Sequence, residues 1–449
     1  MFCTRTNCVK GHPALCYGFV TDWLQGHERA ERDVQRQLTT VRDLRKTNRA
    51  GALWELYLRG ALSRREIGAS TGVSLATVSN VVSELLEQGL VIEVGLEDSN
   101  GGRPGSLVQV NPTFGFVIGV DIGETAFLVE LFDLGMTALA SHRSTTVLTR
   151  LDPEDAVAHV VEGIERVIAE AGVSAKDILG IGVGVPGLVE HADGAIVHGQ
   201  SVGWDAVPFE KLLRRHVALP LIIDNGAKTL GQAESWFGAA RGVDNAVVAL
   251  LGIGVGTGII SNRQLYRGAT SSAGEWGHTT VVVDGRECRC GARGCLEAYI
   301  GAAAIVSRYE QLAGDPHPET QVDLEDRITQ LVSARQDDEN AAKVLGETAM
   351  YLGVGIANLA NLFNPQRVVV GGWLGQALST ALLPQIRSAA ARNALRLPFS
   401  HLEIVRAELG SDAVALGAAT LPVAKFLSLG GPTKASISRN NDRLSRRSS

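Results

Sequence analysis

Residues 277–297 read Gly-His-Thr-Thr-Val-Val-Val-Asp-Gly-Arg-Glu-Cys-Arg-Cys-Gly-Ala-Arg-Gly-Cys-Leu-Glu, which places three thiols and one imidazole in a short stretch of chain. The four ligand-type residues are His278, Cys288, Cys290 and Cys295. Zinc binds such a donor set tetrahedrally in structural sites. Because a single residue separates Cys288 from Cys290, a bound metal would draw this turn tight and fix the side chains around it. The stretch therefore predicts a structural zinc site.

Length and composition indicate a multidomain globular protein. At 449 residues the chain exceeds the usual size of one compact domain, so we expect two or three folding units. No apolar run reaches the roughly 20 residues that a membrane span requires, so we expect no membrane partner. The N-terminus lacks a secretory pattern, and the six cysteines form two groups of three, which favours metal sites or free thiols over disulfides. These features predict a cytoplasmic location.

A helix-turn-helix pattern precedes the cysteine-rich stretch. Ser63-Arg-Arg-Glu66 is a capping box that opens a short helix, and Thr71-Gly-Val73 forms the turn. Ser74 then caps a second helix. A preceding helix over residues 49–59 and a strand over residues 90–94 complete the pattern. Together these segments predict a winged helix.

The second helix is predicted to present a small polar face to DNA. Its expected core positions are Leu75, Val78, Val82, Leu85 and Leu86. On the opposite face Asn80 can bond adenine, and Ala76 and Thr77 can meet a thymine methyl group in the major groove. The predicted DNA-contacting residues are Arg64, Arg65, Ser74, Ala76, Thr77, Ser79, Asn80 and Arg103.

Basic residues cluster in this region although the net charge of the chain is −6. Between residues 41 and 65, seven basic residues stand against Asp43 and Glu55. The basic residues are Arg42, Arg45, Lys46, Arg49, Arg59, Arg64 and Arg65. Such a cluster attracts phosphates, although a solvated helix face would have the same composition. The segment 99–105 either inserts Arg103 into a narrow minor groove or serves as a linker between domains.

From Phe114 onward the pattern changes to apolar strands separated by helices, which indicates α/β organisation. The expected strand segments cover 116–125, 127–132, 178–185, 221–225, 246–251 and 367–370, and the expected helices lie near 154–171, 226–238, 297–313, 339–362 and 412–427. Asp121-Ile-Gly-Glu-Thr and the Gly-rich segment 252–258 occupy matching places in the two halves. Their glycines allow backbone N–H groups to approach a phosphate closely. We therefore expect a duplicated, two-lobed fold with a cleft.

These motifs resemble those of the ROK family (repressors, open reading frames and sugar kinases), in particular its repressor branch, which carries an N-terminal winged helix. The resemblance covers roughly residues 40–430. It rests on Asp121-Ile-Gly-Glu-Thr, Gly182-Val-Gly-Val-Pro-Gly187, Gly203-Trp204, Asp224-Asn-Gly-Ala-Lys228, Gly254-Val-Gly-Thr-Gly258, Gly274-Glu-Trp-Gly-His278, the Cys-x-Cys-Gly-x-x-Gly-Cys-Leu-Glu run and Asn364-Pro365 before Gly371-Gly372.

The resemblance implies an actin-like, RNase H-type ATPase fold that holds a sugar in the cleft between its lobes. The positions that match the family's sugar contacts are Asn225, Glu275, His278 and Glu297. The implied structural zinc would be held by His278, Cys288, Cys290 and Cys295. We expect a sugar-responsive repressor of carbohydrate uptake or catabolism genes that binds a double-stranded DNA operator as a homodimer or homotetramer.

Two departures from the family's kinases argue against enzymatic activity. Gly226 stands where the kinases carry a general-base Asp, and a positioned base contributes about 10²–10⁴-fold in rate. Glu124 replaces a glycine of the first phosphate loop, and a carboxylate about 4 Å from a phosphate charge costs up to roughly 4 kcal/mol. We therefore expect no catalysis and little or no ATP binding. An active sugar kinase with an attached DNA-binding domain is the alternative, and a DNA-binding scaffold without a ligand is a third interpretation.

The sequence predicts five segments. They are an N-terminal extension (1–40), a winged helix-turn-helix domain (41–95), a wing and linker (96–113), a sugar-kinase-like domain (114–429) and a disordered basic tail (430–449). Cys3, Cys8, His12 and Cys16 have a spacing that could close around a metal, but a poorly ordered extension without a metal is the preferred interpretation.

Overall fold

The computed structural model describes residues 41–97, 105–123, 126–145, 151–191, 194–314 and 324–431. Several predicted features lie outside the described residues: Arg103, Glu124, the Cys3–Cys8–His12–Cys16 set and the basic tail beyond residue 431. Within the described ranges, none of the helices combines the length and apolar character that crossing a bilayer requires.

The N-terminal elements form a winged helix-turn-helix. They are α1 (Val41–Arg59), β1 (Leu62–Ser63), α2 (Arg64–Thr71), α3 (Leu75–Glu87), β2 (Val91–Leu96) and β3 (Ser106–Val110). The three strands pair in the order β1-β3-β2. The capping box is present, because the Ser63 side chain accepts from the backbone N–H of Glu66 while the Glu66 carboxylate accepts from that of Ser63. Gly72 ends α2 at a φ of 69°, a left-handed conformation that suits glycine.

The core face of α3 differs from the predicted one at two positions. Val78, Val82 and Leu85 are buried as expected, and Leu86 is partly buried. Leu75 is 58% exposed, so its assignment to the core was wrong. As the first residue of α3 it lies at the helix end, where the apolar stripe has not yet met the other helices. Val81 is buried in addition to the predicted residues.

The first lobe of the large unit is built on a five-stranded sheet. Its elements are β4 (Phe116–Ile122), β5 (Ala126–Asp133), β6 (Ala138–Thr145), α4 (Pro153–Ala171), β7 (Ile178–Val185), β8 (Leu188–Glu190), β9 (Ile196–Gly199), β10 (Trp204–Val207), α5 (Phe209–Leu213) and β11 (Leu221–Asn225). The strand order is β11-β7-β4-β5-β6, while β8, β9 and β10 form a separate small sheet.

The second lobe follows with its own five-stranded sheet, in the order β14-β13-β12-β15-β16. The remaining elements are α6 (Gly226–Phe237), β12 (Ala246–Leu251), β13 (Val255–Ser261), β14 (Gln264–Leu265), α7 (Glu297–Ile300), α8 (Ala302–Ala313), α9 (Leu324–Ala334), α10 (Glu339–Phe363), β15 (Arg367–Gly371), α11 (Gly372–Asn393), α12 (Arg396–Ser400), β16 (Glu403–Arg406) and α13 (Ala413–Ser428).

The two large sheets share one pairing pattern. In the first, β11, β7 and β4 are parallel while β5 and β6 run antiparallel. In the second, β16, β15 and β12 are parallel while β13 and β14 run antiparallel. This repetition confirms the predicted α/β class and the duplicated, two-lobed actin-like fold behind a winged helix.

The chain ends by returning to the first lobe, where α13 packs on β7 and β4. The approach is close at Gly182, because an added Cβ would lie 1.8 Å from the carbonyl oxygen of Ala418. Only glycine allows this contact, which explains one member of the Gly182-Val-Gly motif. The predicted helix over 297–313 is divided at Gly301 into α7 and α8.

The winged helix shares a hydrophobic core with the first lobe. Leu53 and Leu56 of α1 belong to the same buried cluster as Phe426 of α13. The Arg49 guanidinium donates to the carbonyl oxygens of Gly430 and Gly431, at 2.9 and 3.1 Å. The winged helix is therefore packed on the large unit through α1 and is not merely tethered to it.

Candidate functional site

A cavity of about 550 Å³ lies between the two lobes. All four predicted sugar-contacting residues line it, together with Gly123 and the glycines of the 252–256 loop. The predicted sugar contacts are Asn225, Glu275, His278 and Glu297. Strand ends and loops from both sheets therefore bring together residues that are up to 72 positions apart in the sequence.

Asn225 ends β11 and caps α6. Its side-chain oxygen accepts from the backbone N–H groups of Ala227 and Lys228 at 2.9 and 3.1 Å, and its amide nitrogen donates to the Gly187 carbonyl at 2.7 Å. Because the amide group has two hydrogens, one donor is left for a ligand. Any ligand that bonds Asn225 therefore contacts the first turn of α6 directly.

The Asp224 carboxylate is already hydrogen-bonded to other groups of the protein. One carboxylate oxygen accepts from Arg267 at 2.5 Å, and the other accepts from the backbone N–H of Asn225 at 2.9 Å. Asp224 is also buried, so it does not replace a missing general base. Gly226 lines the cavity, and a Cβ there would have its nearest neighbour at 3.6 Å. The site therefore has room for a side chain at position 226 that the sequence does not supply.

Glu297 begins α7 and is also held by the protein. Arg289 forms a two-point ion pair with it, with Nε–Oε1 at 2.9 Å and Nη2–Oε2 at 3.2 Å. The backbone N–H of Val255 donates to Oε2 at 2.9 Å. Sequence reasoning missed Arg289, whose only signal was its position between the cysteines of the Cys-x-Cys pair. A ligand that donates to the Glu297 carboxylate must therefore share it with Arg289 and with the backbone N–H of Val255.

Glu275 precedes a turn of 3₁₀ helix, residues 276–278, that carries His278. Burial raises the pKa of the Glu275 carboxyl, while the positive charges of Lys228 and His278 act to lower it. Within the described part of the chain, the Glu275 carboxylate makes no hydrogen bond or ion pair with another side chain. Of the two glutamates predicted to contact the sugar, Glu275 is the one whose carboxylate has no side-chain partner among the described residues.

The four predicted zinc ligands converge beside the cavity. One ligand atom from each of His278, Cys288, Cys290 and Cys295 lies within 4.8 Å of the others. Tetrahedral zinc with Zn–S bonds of about 2.3 Å would place its ligand atoms roughly 3.8 Å apart. The Cys290–Cys295 Sγ distance and the distance from Cys288 Sγ to His278 Nδ1 are both 3.7 Å. The donor set and its spacing therefore fit zinc.

Without metal the Cys288 and Cys295 thiols hold their protons, whereas hydrogen bonds from the Ala292 backbone and the neighbouring thiols outweigh burial and lower the pKa of Cys290. Burial raises the pKa of Cys295 to about 12, and burial also raises the pKa of Cys288. Thiolate is the form that binds zinc, so metal binding would release protons and couple loop structure to metal content.

Five of the predicted DNA-contacting residues, Ser74, Ala76, Thr77, Ser79 and Asn80, belong to α3 or cap it, and Arg64 and Arg65 begin α2. Ala76 and Asn80 are exposed, and Thr77 and Ser79 are partly exposed. Ser74 caps α3, and its hydroxyl lies 2.9 Å from that of Thr77. The exposed face carries Leu75 at its start, an apolar residue that sequence reasoning had assigned to the core.

The basic cluster between residues 41 and 65 is less available to phosphates than its composition suggests. The pairs are Arg45 and Arg49 with Glu84, Arg59 with Glu55, Arg64 with Glu93 and Arg65 with Glu97. The prediction of an open phosphate-binding patch was therefore wrong in part, because Glu84, Glu93 and Glu97 fold beside arginines that are distant from them in sequence. Arg65 remains 79% exposed, and such surface pairs contribute at most about 1 kcal/mol, so a phosphate can compete for it.

Comparison with known proteins places this architecture in a family. The ROK family profile matches residues 117–425. The chain belongs to the ROK family. It is 31% identical to the xylose repressor of Caldicellulosiruptor bescii over 390 residues, which covers 86% of this chain and 97% of that protein. It is 30% identical to the DNA-binding transcriptional dual regulator NagC of Escherichia coli K12, covering 84% of this chain and 92% of NagC.

Two solved structures show the same fold. A ROK family transcriptional regulator, described as a homologue of the E. coli MLC protein, superposes with a TM-score of 0.72 at 23% identity, covering 88% of this chain and 99% of that chain. A ROK family glucokinase from Streptomyces griseus, in complex with glucose and AMPPNP, superposes with a TM-score of 0.58 at 30% identity, covering 68% and 99%. The kinase-like portion is thus shared with kinases, and the full architecture with regulators.

The metal site generates a direct test. Cys290→Ser should lower bound zinc from one ion per chain to near zero and lower the melting temperature, because three ligands and a hydroxyl hold zinc poorly. Metal content would be measured by inductively coupled plasma mass spectrometry on the dialysed protein.

The triple variant Cys3→Ser/Cys8→Ser/Cys16→Ser is the matched control, and it should retain one zinc per chain. Full zinc in Cys290→Ser, or loss of zinc in the control, would contradict this assignment.

Proposed function

We propose that this protein is a transcriptional repressor whose winged helix binds operator DNA and whose interlobe cavity binds a sugar or sugar derivative that changes the DNA affinity. The observation that carries the proposal is the placement of α6. One end of this helix forms part of the cavity, and the other end packs against the winged helix. A single rigid element thus touches both the ligand site and the DNA-binding unit.

The cavity end of α6 is defined by Asn225 and Gly226. The far end carries Trp236 and Phe237, about 16 Å away at the helical rise of 1.5 Å per residue. Trp236 packs edge-on against Trp54 and Tyr57 of α1, with ring centroids 5.3 and 5.7 Å apart. We call this contact between α6 and α1 the aromatic joint; it comprises Trp54, Tyr57, Trp236 and Phe237. A ligand that bonds Asn225 and tilts or shifts α6 therefore moves the aromatic joint.

The Tyr57 hydroxyl suits an aromatic joint that switches between two arrangements. The Tyr57 hydroxyl is buried and lacks a hydrogen-bond partner among the residues that the structure describes. An unsatisfied buried hydroxyl costs about 1–3 kcal/mol, so a second arrangement in which Tyr57 found a partner would recover that amount and offset part of the cost of rearrangement. Ligand binding needs only a few kcal/mol of preference between two such arrangements to give a useful response.

The effector class follows from the donor set and from the relatives' names. The cavity offers one free amide donor on Asn225 and an available carboxylate on Glu275, which suit adjacent hydroxyl groups. Relatives named for xylose and for N-acetylglucosamine support a sugar or sugar derivative as the effector. The four-ligand loop would hold a structural zinc that fixes His278 and Glu297 beside this cavity. The proposed setting is the cytoplasm, with carbohydrate uptake or catabolism genes as targets.

The proposed DNA contact is the exposed face of α3. Asn80, Thr77 and Ala76 would enter the major groove, while Arg64, Arg65 and Ser74 would meet the backbone and Arg103 the minor groove. A homodimer or homotetramer would place two such helices about one helical turn apart on a palindromic operator.

The proposal is tested by titrating a fluorescent operator, taken from the DNA upstream of the gene, with purified protein at a stated salt concentration. D-xylose, D-glucose and N-acetyl-D-glucosamine would be added in turn. At least one sugar should change the operator dissociation constant about fivefold or more. Asn80→Ala should remove one base contact and so weaken the free energy of specific operator binding by about 1–3 kcal/mol, without changing the sugar affinity. A twofold change or less with every sugar would refute the sensing function.

The second candidate function is a sugar kinase, because the kinase-like lobes and a related glucokinase structure favour it. We expect no sugar-dependent ADP release from the unaltered protein with Mg-ATP and glucose, since Asp224 is occupied and Gly226 supplies no base. Gly226→Asp/Glu124→Gly should gain ADP release at least about 10²-fold above that background.

The matched control Gly226→Asn/Glu124→Gly fills the same space without a base and should stay inactive. Turnover of about one per second or faster by the unaltered protein would support the kinase instead.

A further inference from the structure

The stretch that carries the cysteine ligands contains a short hairpin, which we call the metal hairpin and define as residues 286–294. Its base is closed where the backbone N–H of Gly294 donates to the Arg286 carbonyl, at 2.8 Å. Cys295 follows the hairpin directly, so a bound zinc would hold the strand that leaves it. The strand that enters it at Arg286 reaches its first cysteine only at Cys288, so other contacts must hold this strand at the base.

The backbone of the entering strand is bound by Tyr299 of α7. The Tyr299 hydroxyl accepts from the backbone N–H of Arg286 at 2.9 Å. The Arg286 guanidinium carbon also lies 4.6 Å from the centre of the Tyr299 ring, a cation–π contact. Tyr299 is only 5% exposed, so its hydroxyl is held at a fixed position by the surrounding core. Both the N–H and the carbonyl of Arg286 are thus paired within the protein.

The side chain of Arg286 is held from a second direction by Glu347 of α10. Arg286 Nη2 lies 3.7 Å from Glu347 Oε2. Arg308 of α8 donates two hydrogen bonds to the same carboxylate, at 3.0 and 3.1 Å, and so fixes its orientation. Tyr351, one turn after Glu347, packs on Tyr299 with ring centroids 4.3 Å apart. Three helices therefore meet at Arg286 through these side chains.

We propose that Tyr299 and Glu347 are positioning residues for the zinc loop, which fix Arg286 at the start of the metal hairpin whether or not zinc is bound, so that zinc orders only the residues after Arg286. The inference rests on the proposed zinc site and deepens it. A loop whose entering strand is already fixed loses less conformational entropy when zinc binds, so these two residues raise the zinc affinity.

The two devices act on different parts of the cavity wall. Arg289, which binds Glu297, lies in the metal hairpin after Arg286, so its position depends on zinc. Tyr299 lies two residues after Glu297 in the same short helix, so it ties the start of the hairpin to the element that carries Glu297. Zinc thus orders Arg289, while Tyr299 and Glu347 set the place from which the hairpin begins.

The first test is limited proteolysis of the full-length protein with trypsin, which cleaves after arginine. Arg286 is half-buried, whereas Arg289 and Arg293 are exposed, and mass spectrometry distinguishes the three cleavages. Removing zinc with EDTA should speed cleavage after Arg289 and Arg293 about tenfold or more, while cleavage after Arg286 stays within about twofold. In Tyr299→Phe without zinc, cleavage after Arg286 should become as fast as after Arg289.

Two outcomes of the proteolysis would overturn the proposal. One is cleavage after Arg286 that rises in parallel with the other two when zinc is removed from the unaltered protein, since zinc alone would then hold the entering strand. The other is a Tyr299→Phe protein in which Arg286 stays as protected as before.

The second test measures the zinc dissociation constant by competition with a colorimetric chelator. Tyr299→Phe keeps the ring but leaves the Arg286 N–H without its partner, and it should weaken zinc binding about tenfold. Glu347→Gln, a change farther from the ligands, should weaken it about threefold.

Tyr309→Phe is the matched control for the loss of a tyrosine hydroxyl. Its hydroxyl donates to Asp338 at 2.6 Å in the same lobe and makes no contact with the metal hairpin. The zinc affinity of this variant should stay within about twofold of the unaltered protein, whatever its melting temperature. Equal losses of zinc affinity in Tyr299→Phe and Tyr309→Phe would reduce Tyr299 to a general packing role and overturn the proposal.

The two hypotheses fail in different ways. If the unaltered protein binds no zinc, the metal assignment is wrong, while proteolysis of the unaltered and Tyr299→Phe proteins still decides what holds Arg286. If zinc binds equally well with and without the Tyr299 hydroxyl, the positioning role is wrong, while the zinc site stands.

Discussion

The position of α6 connects the interlobe cavity to the winged helix. Asn225 caps its first turn from the cavity side, and Glu234 anchors its last turn. The buried Glu234 carboxylate accepts from the backbone N–H groups of Ala239 and Leu409 at 2.6 and 3.0 Å, which ties the helix to the segment entering α13. Both α6 and α13 also contact the winged helix, so the elements that bound the cavity floor are the elements that support the DNA-binding unit.

The chemistry of the cavity agrees with sensing rather than catalysis. A kinase needs a carboxylate that is free to take a proton, yet Asp224 is held by Arg267 and position 226 has no side chain. What remains is a set of polar groups in which Arg289 holds Glu297 and Asn225 keeps one amide hydrogen for a ligand. Such a set can recognise hydroxyl groups by their hydrogen bonds without removing a proton from them.

Much of the fold could be predicted from the sequence, because capping boxes, apolar periodicity and glycine motifs are local signals. The strands over 178–185, 221–225 and 246–251 were predicted to the residue. The long helix α11 was missed, because it begins with Gly372 and contains Pro384, so it carries neither an N-cap nor a clean stripe. The separate small sheet was missed as well, because its strands are only three or four residues long.

The candidate site was predictable only in part, for a different reason. The resemblance supplied Asn225, Glu275, His278 and Glu297, and the Cys-x-Cys spacing supplied the metal ligands. The partners of these residues depend on the tertiary fold: Arg267 reaches Asp224 from 43 residues away, and Glu84 reaches Arg45 from 39. No local pattern indicates such pairs. The partners of the arginines that composition assigned to DNA therefore became visible only in the fold.

If α6 links ligand binding to DNA binding, the linkage can be measured from the ligand's side. The affinity of the best-binding sugar would be measured by calorimetry with and without saturating operator, for the unaltered protein and for Trp236→Leu. Thermodynamic reciprocity requires that operator change the sugar affinity by the same factor by which the sugar changes the operator affinity, about 5-fold or more. In Trp236→Leu both affinities should persist while that factor falls toward one. A factor that is unchanged in the variant, or a sugar affinity that ignores DNA in the unaltered protein, would contradict the account.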